Sequence, residues 1–259
     1  MNLISFLKNL TDPPKCAGCG ERFDILGNNC NDAFCQNCRS KWEKAKRRIC
    51  QGCKHEDIDC TCPIKAIKGT KLLSLMKFSS EGCCVNFIYR LKQSRNERFF
   101  GFAADELYKR LLHEGKLMNE DYSDYVFVNV PRNARTKNLY GFDHAALLAE
   151  KVALKIGGRY DAALGRRWGG RPQKKLQGDK RMKNVKGRFV YRSNESIVGE
   201  KVILIDDVVT TGATASECVK ELKRNGAAEV ILLSIARASS SKKRRTKNKT
   251  AKGENDGAV

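Results

Sequence analysis

Nine of the twelve cysteines fall within the first 62 residues of this 259-residue chain, and eight of those nine come in close pairs. Cys16 and Cys19, Cys35 and Cys38, and Cys50 and Cys53 are each separated by two residues, while Cys60 and Cys62 are separated by one. A tight turn lets both sulfurs of a pair reach one ion at about 2.3 Å, and two pairs close a tetrahedral site with no position left for water. Gly18, Gly20 and Gly52 suit such turns. About 60 residues with so few large apolar side chains would not hold a fold without a staple. Sequence order assigns one structural zinc to Cys16, Cys19, Cys35 and Cys38, and a second to Cys50, Cys53, Cys60 and Cys62. The short spacing strains the last pair, which leaves Cys30 and His55 as substitutes. Free buried thiols or a disulfide framework compete with this reading, and a reducing compartment disfavours the disulfides. Cys83, Cys84 and Cys218 sit in apolar contexts and read as core.

A cytoplasmic compartment is the expectation. The opening MNLISFLKNLTDPPK lacks a basic n-region and a small-residue cleavage site, so no signal peptide is read. No stretch approaches the ~18 continuous apolar residues of a membrane span. Charge is the other bound. Lys and Arg number 50 against 29 Asp and Glu, a net of +21 that favours polyanionic partners or phosphate-bearing ligands. It is concentrated: residues 159–192 hold 12 basic and 2 acidic side chains, and residues 239–259 hold 7 and 2. That last segment is polar, basic and unpatterned, which predicts a disordered tail.

Between the cysteines and the tail the pattern is that of an α/β domain. Residues 72–78 (LLSLMKF) and 84–92 (CVNFIYRLK) are apolar, with helix or strand left open at this length. A helix is expected over 99–115, with Phe102, Leu107, Leu111 and Leu112 on or near one face, and a strand over 125–131. Another helix is expected over 142–158, capped by Asp143 and stopped by Gly157. Residues 202–205 read as a buried strand, 214–225 as a helix with a Thr214-x-x-Glu217 capping box, and 230–236 as a strand. Strand, helix and strand in that order make a right-handed βαβ unit and a mostly parallel sheet. The organisation is then a zinc-ribbon module over 1–65, a domain over 66–238 and the tail over 239–259.

The segment VILIDDVVTTGAT, 202–214, carries the chemistry. In open α/β sheets ligands sit beyond the carboxyl ends of the strands, and Asp206 and Asp207 are expected there, both within reach of one ligand. Two adjacent acids need partners, such as sugar hydroxyls or a divalent cation. The following TTGAT opens a helix and offers backbone N–H groups and hydroxyls to an anion. Acids for hydroxyls beside an amide nest for phosphate describe a phosphorylated ribose. Neither Gly-Lys-Ser/Thr nor G-x-G-x-x-G is present.

This segment resembles the signature by which type I phosphoribosyltransferases bind 5-phosphoribosyl 1-diphosphate (PRPP). With the cysteine-rich front end, the chain up to about residue 238 is similar to the ComF family, amidophosphoribosyltransferase-like proteins linked to DNA uptake in competent bacteria. VPRNARTKNLYGFDHAALLA, Gln173-x-x-Leu176 and Arg181-x-x-Asn184 match the family's Pro, Arg, Gly-Phe and Gln-Leu-Arg-Asn series. The resemblance implies a type I phosphoribosyltransferase fold and Mg²⁺ bound with PRPP. It places Asp206 and Asp207 on the ribose hydroxyls, and Thr210, Thr211, Gly212 and Thr214 around the 5′-phosphate. Arg132, Asn133 and Arg135 fall in the pyrophosphate loop, and the basic stretch 166–175 falls where these enzymes carry a mobile loop. Tyr140-Gly141-Phe142-Asp143 departs from the family's basic-Gly-Phe-Asn, and Thr210 stands where purine-using enzymes carry an acid, which argues against purine salvage. His113 and His144 lie in expected helices and read as ordinary surface or core residues.

Two functions compete. One is Mg²⁺-dependent phosphoribosyl transfer from PRPP to an unspecified nucleophile, carried by the ribose-phosphate segment. The other is a non-catalytic, zinc-containing nucleic-acid-handling protein that uses the fold as a nucleotide-binding or interaction scaffold. In that reading single-stranded DNA or another nucleic acid is bound without sequence preference, in contact with DNA-uptake machinery. Aromatic interleaving of the kind a stacking platform needs is sparse, with Trp168 among arginines the nearest approach.

Overall fold

A computed structural model of the chain describes residues 13–23, 31–78, 82–167 and 185–238. Cys30, Trp168, the Gln173 to Asn184 matches and the 239–259 tail therefore lie outside the described residues. The described strands are β1 (Leu72–Phe78), β2 (Val126–Asn129), β3 (Arg159–Tyr160), β4 (Leu164–Arg166), β5 (Phe189–Tyr191), β6 (Lys201–Val209) and β7 (Glu229–Ala238). Five of them form a wholly parallel sheet in the order β1-β7-β6-β2-β3, and β4 and β5 pair antiparallel beside it. The described helices are α1 (Gln36–Lys46), α2 (Gly82–Gln93), α3 (Glu97–Met118), α4 (Ala134–Tyr140), α5 (His144–Ile156) and α6 (Ala213–Arg224).

A parallel sheet covered on both faces needs strands that are apolar throughout, and β7 is buried from Val230 to Arg237. Ile203, Ile205, Ile231 and Leu233 face a core shared with Phe87, Leu107 and Leu148 of α2, α3 and α5. Val202, Leu204, Val230 and Leu232 face the opposite way, onto Ala215, Cys218 and Leu222 of α6. Cys83 and Cys84 are buried at the start of α2. The two segments of open identity resolve differently: 72–78 is β1, and 84–92 belongs to α2, whose Cys84, Phe87, Ile88 and Leu91 fall at helical spacing. In α3, Phe102, Leu107 and Leu111 are buried as expected, but Leu112 is exposed because it turns away from that face.

The helix ends explain how the chain enters the site. Asp143 caps α5, accepting from the N–H groups of Ala145 at 3.1 Å and Ala146 at 3.4 Å, and its other oxygen accepts from Arg132 N–H at 2.8 Å. Replacing it with Ala is expected to cost about 1–2 kcal/mol, because cap and loop anchor go together. Urea denaturation checks this, and a loss within a few tenths would show that the cap is dispensable. Gly157 ends α5 in the left-handed region at φ 80°. The Thr214-x-x-Glu217 capping box does not form. Gly212, at φ 75°, is the residue before α6, while Glu217 accepts from Gly187 N–H at 2.9 Å and pairs with Lys220 at 2.7 Å.

The strand expected over 202–205 runs on to Val209. Its extra residues pair with β7, whereas β2 ends opposite Ile205 at Asn129. From β2 the chain returns through α5 to β3 on one side, and from β6 it returns through α6 to β7 on the other. The crevice between β2 and β6 is thus a switch point, and Asp206 and Asp207 stand above its floor.

Candidate functional site

The eight paired cysteines assemble into two groups, Cys16, Cys19, Cys35 and Cys38, and Cys50, Cys53, Cys60 and Cys62, each with its sulfurs within 4.8 Å of one another. The second group uses Cys62 despite the short spacing, and His55 is not part of it. Tetrahedral zinc–thiolate bonds of about 2.3 Å place sulfurs about 3.8 Å apart. The observed separations fit: 3.8 Å for Cys19 to Cys35, 3.5 Å for Cys50 to Cys62 and 3.7 Å for Cys53 to Cys60. The two turns are built alike. Gly18 N–H points at Cys16 Sγ at 3.4 Å and Gly52 N–H at Cys50 Sγ at 3.3 Å, while Gly20 and Lys54 both take positive φ. A Cβ on Gly18 would lie 2.7 Å from Cys38 Sγ, and one on Gly52 would lie 2.6 Å from Cys62 Sγ. Burial opposes ionisation of Cys50, but Lys77 and the N–H groups of Cys53 and Gly52 outweigh it and bring the thiol to about 7. Burial beside such thiolates pushes Cys60 up to about 12, a conflict that a dication removes.

Both groups are moored to the α/β core. Arg90 donates to Cys16 O and Asn86 to Gly18 O, each at 2.8 Å, so α2 holds the first. Arg237 of β7 donates to Cys60 O at 2.9 Å and also to Cys62 O, which holds the second. Phe34 and Trp42 stack with Phe87 and Phe102 at ring separations of 5.0 to 5.5 Å, and Trp42 Nε1 donates to Glu106 at 2.9 Å. One hydrophobic cluster therefore runs from Cys16 to Ala236.

At the switch point, alternation along β6 separates the two carboxylates. Asp207 continues the Ile203 and Ile205 face, toward α2 and α5, and Asp206 continues the Val202 and Leu204 face, toward α6. Asp207 is 4% exposed, with Oδ2 lying 2.7 Å from Lys92 Nζ and 3.2 Å from His144 Nε2. Burial works against its ionisation, but His144 and Lys92 outweigh it and hold the carboxyl well below the usual range. Asp206 is half-buried, and burial together with the charge of Asp207 pushes its carboxyl well above that range. The pair that looks symmetrical in sequence is thus an anchored anion beside an unbalanced acid.

The remaining expected residues fall around this pair. Thr210 is exposed and Thr211 and Thr214 are half-buried, in the turn that opens α6, and Thr211 Oγ1 accepts from Ala213 N–H at 3.4 Å. Gly212 is buried, and a Cβ there would meet Ile64 at 3.0 Å and Ile67 at 3.2 Å. Arg132 bonds Lys92 O at 2.8 Å and Phe142 O at 3.3 Å and stacks 4.7 Å from the Tyr140 ring, so it ties α2 to the loop after β2. Asn133 caps α4 through Arg135 N–H at 3.0 Å, and the Arg135 side chain is exposed. A cavity of about 420 Å³ lies beyond β2 and β3, and Arg132, Lys137, Arg166 and Arg192 line it with Asp143 and Tyr160. Burial and the neighbouring charge of Arg188 lower Arg166 from the ordinary arginine value.

Sequence reasoning missed Lys92 and His144, which arrive from two separate helices, and Lys137 and Arg192 in the cavity. His144 is 7% exposed and belongs to this site, whereas His113 is an exposed helix residue as read. The only advance signal for His144 was its place directly after the capping Asp143.

Comparison with known proteins follows the same lines. Residues 144–256 match the phosphoribosyl transferase domain. Over 151 residues the chain is 30% identical to DNA utilization protein YhgH of Escherichia coli, a match covering 58% of this chain and 65% of that relative, just under two thirds of its length. It is 25% identical over 241 residues to competence protein ComFC of Streptococcus pneumoniae, covering 86% of this chain and 100% of that one. A purine phosphoribosyltransferase structure from Pyrococcus horikoshii aligns at a TM-score of 0.34 and 15% identity, over 53% of this chain and 83% of that one. Among the described residues no helix is long and apolar enough to cross a membrane.

Proposed function

We propose, for a chain that carries a phosphoribosyl transferase domain and has homologues named ComFC and YhgH, that it binds PRPP or a related ribose phosphate at the β2–β6 crevice, in a role connected with DNA uptake. The observation that carries this reading is Asp206, a half-buried carboxylate that no cation among the described residues pairs with, beside the amide-rich turn that opens α6. Ribose hydroxyls donated to Asp206 would stabilise its ionised form, and the 5′-phosphate would sit on Thr210, Thr211, Gly212 and Thr214. Asp207 orients Lys92 and His144 rather than meeting solvent. The cations that line the 420 Å³ cavity suit the diphosphate, and they would stabilise it as a leaving group. Mg²⁺ arriving with PRPP would neutralise the diphosphate, and an acid such as Asp206 fits hydroxyls or a hydrated cation. Zinc, held by the two cysteine groups, is structural.

Calorimetric titration of PRPP, with and without Mg²⁺, tests the site. Wild type should bind in a Mg²⁺-dependent way, and the Asp206→Asn/Asp207→Asn chain should not. A folded, zinc-loaded wild type that fails to bind would leave the segment as scaffold.

A second reading, nucleic-acid handling, is supported by Arg166, Arg167, Arg188 and Arg192 on or next to the paired strands β4 and β5, and by the names of the relatives. Binding of a labelled single-stranded oligonucleotide should then fall steeply with salt and weaken on deletion of residues after 239. Salt-insensitive binding, or none at low salt, removes it.

A further inference from the structure

A cavity lies away from the β2–β6 crevice. It measures about 690 Å³ and lies between the second cysteine group, the 61–71 connection and the last turns of α3. That volume is within the ~300–1,000 Å³ range of small-molecule sites. Its floor is apolar, from Ile64, Ile67, Leu72, Leu73 and Leu117. Its polar lining is mainly cationic: Lys68, Lys71, Arg110 and Arg237, with His55 and His113, against Asp59 and Glu114. Two of these guanidiniums are deeply buried, Arg110 at 5% and Arg237 at 2% exposure, and Nε of each has no acceptor among the described residues. Glu114 already serves Arg110 at 2.9 Å and Lys71 at 2.7 Å, and Asp59 lies 3.9 Å from Arg110 and 4.0 Å from His113. Glu114 is therefore engaged, Asp59 lies beyond hydrogen-bond range of both neighbours, and with four Lys and Arg side chains against two carboxylates the wall retains donor capacity for an anion.

We infer that this cavity is a second ligand site, for a small phosphorylated metabolite with a flat apolar body, of which a nucleoside monophosphate is the type. The phosphate meets Lys68, His113 and the buried guanidiniums, and the body lies on the isoleucine and leucine floor. Such a ligand is small enough for the volume, and charge without apolar surface would leave the floor unused.

The site also has a route to the crevice. Ile64 and Ile67 line the cavity, and the same two side chains bracket Gly212 in the turn that opens α6. A ligand that reseats them shifts the turn, and the coupling is reciprocal: each ligand changes the affinity of the other by the same factor. This coupling rests on the sugar-phosphate reading of the crevice, whereas binding in the cavity does not.

The test is calorimetric titration of adenosine 5′-monophosphate, and separately of inorganic phosphate, into the zinc-loaded full chain. Three proteins are compared: wild type, Lys68→Glu/His113→Ala at the exposed rim, and Asp206→Asn/Thr211→Val at the crevice. The expected result is binding by wild type, weakening of at least tenfold in the rim variant, and affinity within about twofold of wild type in the crevice variant. Inorganic phosphate should bind at least tenfold more weakly than the monophosphate. An isotherm untouched by the rim variant, or abolished by the crevice variant, puts the nucleotide in the crevice and overturns the inference. Absence of binding at millimolar concentration overturns it as well, and inorganic phosphate binding equally well overturns the class of ligand. An unchanged PRPP affinity at saturating monophosphate overturns only the coupling. Failure of PRPP to bind at all, with the rim effect intact, leaves the cavity site standing and removes the crevice reading.

Discussion

Replacing Cys38 with Ser is expected to lower the zinc content from two ions per chain to one, and to lower the melting temperature of the whole molecule rather than of its front end alone. A serine hydroxyl does not ionise near neutral pH, so the first group would keep three thiolates and lose its closed shell. Structural zinc contributes on the order of 10 kcal/mol of apparent binding energy, which in a small module is folding energy. The loss spreads because of what the first group supports. Phe34 directly precedes Cys35, and with Trp42 it stacks on Phe87 of α2 and Phe102 of α3. Those helices cover the sheet face that Ile203 and Ile231 line. A single cooperative transition, displaced by well over 10 °C, is the expected trace. Cys218→Ala is the control: its thiol, on α6, is buried against the Val202 and Leu204 face of the sheet and belongs to neither cysteine group, so two zinc ions should remain while a smaller loss reports the cavity. Metal analysis showing two ions in the Cys38 variant, with an unchanged melt, would rule the thiols out as ligands.

How much of this was legible in the sequence depended on whether the information was local. The cysteine groups were largely readable, because a turn and four sulfurs are a short-range problem, but whether Cys62 or a substitute closed the second was left to the structure. So was the cap of α5, since Asp143 stands directly before a helical pattern that Gly157 closes. The identity of 72–78 was not, because a seven-residue apolar run fits either element until β7 is there to pair with it. The capping box failed for a tertiary reason: Glu217, which would have closed it, is taken by Gly187 of a neighbouring loop. The carboxylate pair was half legible. Its position above the crevice followed from the strand–turn–helix order, but its division of labour did not. Pairing with β7 keeps β6 extended through Asp206 and Asp207, so the two side chains must alternate. Lys92 and His144 then decide which one is neutralised, and they come from helices more than fifty residues away along the chain.

That division predicts opposite responses to the same substitution. Asp207→Asn removes the charge that balances Lys92 and His144 in a site with 4% exposure, and should destabilise the ligand-free protein by about 3 kcal/mol, at the low end for breaking a buried pair because Lys92 can turn to water. Asp206→Asn removes a charge that no cation among the described residues pairs with, and should leave the ligand-free protein as stable or more so while abolishing ribose-phosphate binding. Acid separates them further. The folded carboxyl of Asp207 lies below its unfolded value, so its contribution is present above about pH 4 and is lost as pH falls from there toward the depressed value. The folded carboxyl of Asp206 lies above its unfolded value, so the folded state takes up the proton first. Its penalty at neutral pH is relieved as pH falls through that raised value toward about 4. Wild type should therefore gain on Asp206→Asn as the pH is lowered from 7 toward 5. Thiol protonation releases zinc in acid, so the comparison is made between chains at one pH, by urea denaturation at pH 7 and again near 5. Equal losses from the two substitutions at neutral pH would mean that both carboxylates are held alike, and the assignment of Asp206 as the ligand-facing acid would fall with the asymmetry.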